Sequence, residues 1–317
     1  MIHQAFVILF VAAVLVPLVV LAAQGGAGET GGRDASRVQP IRRPDKEIVY
    51  KKILQGGGEL KFFVYLPAGW KAADKRAAIL FFFGGGWRVG SPTQFFSKAE
   101  YFASRGMVAI SAEYRISSVH QTGVKECVFD ARSAMRFLRT HAGEWGVDPE
   151  KIVASGGSAG GHLAAALVLP GGKETDDPAD DAAVSCRPRA MVLFNPVMDL
   201  MAAFDDAKTT DVMRKSAPGN SDEEKKQFLR VYSPIEHLGK NLPPTLMLYG
   251  EQDPFLSHAH AYADKSISLG NKVELWTAAN IGHGFFNGQP WHNATLIKTD
   301  KFLAELGILQ GPPTIKN

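Results

Sequence analysis

The chain has 317 residues, a net charge of +3 and 45% hydrophobic content. That balance belongs to a globular protein with a sizeable core, excludes a disordered or collagen-like chain, and is too weakly basic to indicate a nucleic-acid partner. Only Cys127 and Cys186 are present, which excludes a disulfide scaffold and a cysteine-based zinc module.

Residues 1–28 carry no Asp, Glu, Lys or Arg, and Ala5–Ala23 is apolar apart from the break at Pro17. Residues 1–23 read as a signal peptide with small residues, Ala22 and Ala23, at the cleavage site. The run also approaches bilayer length, so an uncleaved anchor is the alternative, and only then would the protein meet a membrane. The expected location is periplasmic or extracellular. Residues 24–45, rich in Gly, Arg and Pro, read as a flexible leader. Export would permit a Cys127–Cys186 disulfide, with two semi-buried thiols as the other reading.

A domain over residues 46–311 follows. Glu47–Lys51 and Glu59–Leu66 read as a hairpin around Gly56-Gly57-Gly58. Compact apolar runs come next: Ala77–Phe83, Met107–Ala112, Ile152–Ser155, Ala190–Phe194, Thr245–Tyr249 and Lys272–Trp276. Continuous rather than alternating apolarity suits strands buried on both faces of a parallel sheet. Between them, Val124–His141 places Val124, Cys127, Val128, Ala131, Met135 and Leu138 on one helical face. The expected class is therefore α/β, a mostly parallel sheet covered by helices on both faces. Residues 195–243 contain no strand-like run and read as a small cap inserted into the domain.

The run Ile152–Ser155 leads into Gly156-Gly157-Ser158-Ala159-Gly160-Gly161 and then a helical segment, His162–Leu169. A serine between small residues at a strand–turn–helix junction is exposed above the sheet, where the helix dipole favours developing negative charge. A phosphate loop is excluded because neither Gly-Lys-Ser/Thr nor the G-x-G-x-x-G spacing occurs. Ser158 is the candidate nucleophile. A serine hydroxyl needs a base, and the base needs an orienting acid. Asp253 falls just past Thr245–Tyr249, and His283, between Gly282 and Gly284, just past Lys272–Trp276. Glu251 is the rival acid; His162 reads as structural or pocket-lining; His258 and His260 lack a third ligand, so no metal is expected. Ala77–Phe83 ends in Gly84-Gly85-Gly86-Trp87, where the N–H groups of Gly84 and Gly85, with that of Ala159, would form an oxyanion hole. Trp87 and Phe285 would wall a short acyl pocket, with the protein core as the alternative place for both rings.

Phe83-Gly84-Gly85-Gly86-Trp87, the Ser158 motif, Asp253 and His283, in that chain order, resemble the α/β-hydrolase superfamily. Within it the likeness is to hormone-sensitive-lipase-like esterases and related bacterial acetyl-xylan and feruloyl esterases, over roughly Glu47 to Leu309. The resemblance implies an α/β-hydrolase fold and a cofactor-free serine hydrolase working through an acyl-enzyme. It points to acetyl or feruloyl esters of carbohydrates, presented as small molecules or polysaccharide. Phe83 stands where the family usually has His, so the loop must be anchored differently. Two other readings stay open: a serine peptidase of the prolyl-oligopeptidase type, for whose β-propeller this chain has no room, and an inactive hydrolase fold that only binds.

Overall fold

A computed structural model describes residues 42–53 and 57–315, so the apolar N-terminal run and nearly all of the expected leader lie outside the described residues. Each of the eight expected strands is present: β1 (Lys46–Lys52), β2 (Glu59–Tyr65), β3 (Arg76–Phe82), β4 (Val108–Ala112), β5 (Val147–Gly157), β6 (Ala190–Phe194), β7 (Thr245–Gly250) and β8 (Val273–Ala278). They form one sheet in the order β1-β2-β4-β3-β5-β6-β7-β8. β2 runs antiparallel to both its neighbours, and all pairings from β4 through β8 are parallel. Every residue of β4, β6 and β7 is buried, the physical reason their sequences are apolar without alternation. β5 starts earlier than expected. Val147 pairs with Arg76, and the exposed stretch around Pro149 then bulges out before Ile152 rejoins the ladder opposite Ala78.

The helices are α1 (Phe96–Ser104), α2 (Ser117–His120), α3 (Val124–Thr140), α4 (Ala159–Ala166), α5 (Leu200–Asp205), α6 (Thr210–Ser216), α7 (Asp222–Tyr232), α8 (Leu256–Ser268) and α9 (Trp291–Glu305). α3 buries the predicted stripe, and its Glu126 carboxylate accepts from the Gly123 N–H at its start, 2.9 Å away. Its other side is buried too. Arg132 and Arg136 there share the carboxylate of Asp176 at 2.7 and 2.6 Å, and Asp130 lies between Lys51 and Arg115 at 2.8 and 2.7 Å. The strandless segment between β6 and β7 folds as α5, α6 and α7. Asp199 caps α5, and Ser221 with Glu224 forms a capping box on α7. Val212 of α6 lies against the backbone of Gly86: a Cβ on that glycine would come within 3.3 Å of its Cγ1. Cys127 and Cys186 are buried free thiols, so of the two readings the unpaired one holds.

Candidate active site

All parallel strands end on the same edge of the sheet, and the chemistry of the sequence collects there. β5 runs to Gly157, Ser158 takes φ 53° and ψ −119°, and α4 starts at Ala159. The helix thus begins at once after the serine, not at His162 as the sequence suggested. The small residues explain how. A Cβ on Gly160 would overlap the carbonyls of Phe82 and Phe83, and one on Gly157 would strike the Phe286 ring. Only glycine lets strand and helix approach this closely. The strained turn is held by the Ser158 N–H, which donates to the Phe194 carbonyl at 2.8 Å.

Ser158 Oγ lies 2.8 Å from His283 Nε2, and His283 Nδ1 lies 2.8 Å from Asp253 Oδ2. The Asp253 carboxylate is buried, and its other oxygen accepts from the Phe255 N–H at 2.9 Å. Glu251 takes no part; its carboxylate accepts from the Asn280 N–H. Three segments far apart in sequence therefore form one hydrogen-bonded line in which a carboxylate orients an imidazole against a hydroxyl. The His283 side chain is 33% exposed, so the line opens to solvent at its histidine.

The oxyanion loop requires one correction. The Gly84 N–H donates to Gln94 Oε1 at 2.6 Å and is therefore not free for a substrate. Among the described residues, the N–H groups of Gly85, Gly86 and Ala159 have no protein acceptor, and Gly86 replaces Gly84 among the candidate donors. The chain can turn this way because Gly85, Gly86 and Trp87 all adopt positive φ, 127°, 62° and 58°. The loop is anchored without the usual histidine. Tyr114 stacks on Phe83 with centroids 4.2 Å apart, and its hydroxyl donates to the Phe83 carbonyl at 2.8 Å.

The second correction concerns the pocket wall. Trp87 is 1% and Phe285 5% exposed, so both rings belong to the core. Phe285 packs among Trp276, Phe286 and Trp291. Trp87 donates from Nε1 to His162 Nδ1 at 3.3 Å, and His162 Nε2 donates to the Tyr232 carbonyl at 2.8 Å. A tryptophan N–H can only donate and a carbonyl can only accept, so both contacts require this neutral tautomer. Burial holds the imidazole down to about 4, and the bond to Tyr232 offsets only part of that. His162 thus ties the oxyanion loop to α7, a structural role.

Three residues escaped the sequence reading. Gln94 occupies the Gly84 N–H. Lys98, fully buried on α1, donates to the Phe286 carbonyl at 2.9 Å beneath the His283 loop, and burial lowers it to about 7. Asn195, just past β6, is wholly buried at φ 39°; its Oδ1 accepts from the Gly284 N–H at 3.2 Å and its Nδ2 lies 3.3 Å from His283 Nε2. Its place at the end of a predicted central strand was the available signal. Lys98 gave none, because nothing in its neighbourhood marks an amphipathic helix residue as buried.

The sheet order, the serine on its strained turn and the Ser158–His283–Asp253 line define an α/β-hydrolase. The BD-FAE family model matches residues 63–266, nearly two-thirds of the chain, and the protein belongs to that family. Among curated relatives, a probable carboxylic ester hydrolase, LipM, of Mycobacterium tuberculosis is 24% identical over 70% of this chain and 53% of its own length. The carboxylesterase NlhH of the same species is 25% identical over 68% of each. The chain spans little more than half the length of the first of these relatives. Among solved structures, the apo form of Thermogutta terrifontis esterase 2 is 42% identical with a TM-score of 0.74, over 84% of this chain and 96% of that one. The same esterase in its butyrate-bound form is 40% identical with a TM-score of 0.73, over 84% and 96%.

Proposed function

We propose that the protein is a serine carboxylic-ester hydrolase for short-chain acyl esters, with a carbohydrate supplying the alcohol. The observation that carries this is the contact of Ser158 Oγ with His283 Nε2, backed by Asp253, beside free N–H groups at Gly85, Gly86 and Ala159. Ser158 Oγ attacks the ester carbonyl while its proton passes to His283 Nε2. The three N–H groups hold the oxygen that becomes negative. His283 gives the proton to the departing alcohol oxygen, leaving an acyl group on Ser158. Water then repeats the sequence: its proton goes to Nε2, its oxygen joins the acyl carbon, and the proton returns to Ser158 Oγ as the acid leaves.

Two observations support the substrate class. The imidazole that protonates the alcohol is a third open to solvent, so the alcohol end of the ester lies toward the open mouth of the site. Thermogutta terrifontis esterase 2 has been solved with propionate and with butyrate bound, which supports a short acyl side here. The α5–α7 segment, with Val212 against Gly86, borders the alcohol side as a cap. Residues 1–23 direct the chain out of the cytoplasm, where acylated polysaccharide would be met.

The test is a panel of p-nitrophenyl esters, acetylated xylan and methyl ferulate, with Ser158→Ala as control. Activity on p-nitrophenyl esters should peak at about two to four acyl carbons and fall sharply by about eight, since each methylene is worth about 1–3 kcal/mol of discrimination. Turnover by folded Ser158→Ala sinks the serine mechanism. An optimum at roughly ten carbons or more sinks the short-acyl substrate.

A further inference from the structure

We propose that Asn195 is a positioning residue, which holds His283 in the one neutral tautomer that can take the proton of Ser158. The proposal rests on the function proposed above and follows from which groups can donate. The Gly284 N–H is a donor only, and it lies 3.2 Å from Asn195 Oδ1. The carboxamide oxygen must face it, so the NH2 must face His283 Nε2, 3.3 Å away. A ring nitrogen facing that NH2 has to present a lone pair. On the far side of the ring Asp253 can only accept, so Nδ1 carries the hydrogen. The tautomer a general base requires is thus specified from both edges of the imidazole.

The amide itself is fixed. Asn195 is fully buried, its N–H donates to the Leu248 carbonyl at 2.7 Å, and φ of 39° is a backbone region that asparagine adopts more readily than most residues. Phe194, its neighbour, accepts from the Ser158 N–H. The end of β6 therefore sets nucleophile and base against each other. In the resting site two donors face the Nε2 lone pair: the Ser158 hydroxyl at 2.8 Å and the Asn195 amide at 3.3 Å. Once Ser158 is acylated its oxygen has no hydrogen, and Asn195 is the protein donor left facing Nε2. The ring then stays aligned until the water that releases the acid displaces this long contact and gives its proton to Nε2.

The experiment compares Asn195→Asp with Asn195→Ala in the full chain, on p-nitrophenyl butyrate. Aspartate keeps the shape, the oxygen that accepts from Gly284 and the left-handed backbone, but turns an acceptor toward Nε2. The near-isosteric aspartate should therefore be the worse variant, losing roughly a hundredfold or more in kcat/KM. Its His283 should carry a proton on Nε2 as well as on Nδ1 in 15N spectra of histidine-labelled protein, assigned against His283→Ala. A residue that merely tethers Gly284 gives the opposite order, with alanine worse. That order, or an aspartate variant whose Nε2 stays unprotonated, overturns the proposal. If the aspartate variant does not fold, the wild-type chain decides: an NOE from the Asn195 amide protons to the His283 ring supports the contact, and its absence overturns it. Wild-type inactivity, or activity persisting in Ser158→Ala, counts instead against the function proposed above, and the ring spectra then still judge the tautomer.

Discussion

Replacing Trp87 with phenylalanine separates a wall of the substrate cleft from a strut of the oxyanion loop. Trp87 is 1% exposed, and its Nε1 donates to the Nδ1 of His162, itself 0% exposed. The other ring nitrogen is committed to the Tyr232 carbonyl. Phenylalanine therefore leaves one buried lone pair without a donor, a cost of about 1–3 kcal/mol. The smaller ring adds about 1 kcal/mol for the void it leaves. At about 2–4 °C per kcal/mol for a domain of this size, the melting temperature should fall by roughly 5–15 °C. Because Trp87 directly follows Gly86, the loop loosens and kcat/KM on p-nitrophenyl butyrate should drop about tenfold, a fraction of what losing a whole oxyanion donor costs. The acyl-length optimum should not move. Thermal melts followed by circular dichroism and the p-nitrophenyl panel read both effects. A melt within about 1 °C of wild type would refute the Trp87–His162 strut, and a profile broadened toward long chains would restore Trp87 as a pocket wall.

Acid should destabilise the fold in a defined window. His162 is lowered from 6.5 to about 4, so between those values the unfolded chain binds a proton that the folded chain does not. Stability is then lost as pH falls from 6.5 toward 4, by about 3 kcal/mol from this group alone. His292, also lowered to about 4 by burial and by nearby Lys98, acts in the same direction. Urea unfolding at pH 7.5 and at pH 4.5 measures the difference, and a flat dependence would contradict both assignments. Asp176→Ala strips the shared carboxylate from Arg132 and Arg136, whose side chains are 4% and 7% exposed, and should cost about 3–5 kcal/mol in denaturant titrations. A loss below about 1 kcal/mol would mean the guanidiniums find other partners unaided. Asp253→Asn should lower kcat by roughly 10⁴ through the wrong histidine tautomer, with Glu251→Gln near wild type; the reverse order would show that the acid lies at Glu251.

The elements were legible because parallel strands covered on both faces must be apolar at nearly every position, as β4, β6 and β7 are. The nucleophile was legible for a related reason. A turn as tight as that at Ser158 excludes side chains at Gly157 and Gly160, so the steric demand is written in the residue types themselves. The start of α4 was misplaced because glycines argue locally against a helix, and only the packing of strand on helix outweighs that cost.

Periodicity, small residues at a forced turn, and the order of serine, acid and histidine along the chain are local constraints, each readable from the residues alone. Whether an N–H is free or a ring is buried depends on partners far away in sequence and so emerges only on folding. Gly84 is spoken for by Gln94, a side chain ten residues on, whereas Gly86 is not. Trp87 faces His162, 75 residues away, and not the cleft beside its own loop. Asn195 meets His283 across 88 residues because β6 and β8, which flank β7 in the sheet, end at the same edge. Hydrogen bonds and burial are properties of pairs brought together by folding, and no residue carries its partner's identity in its own neighbourhood.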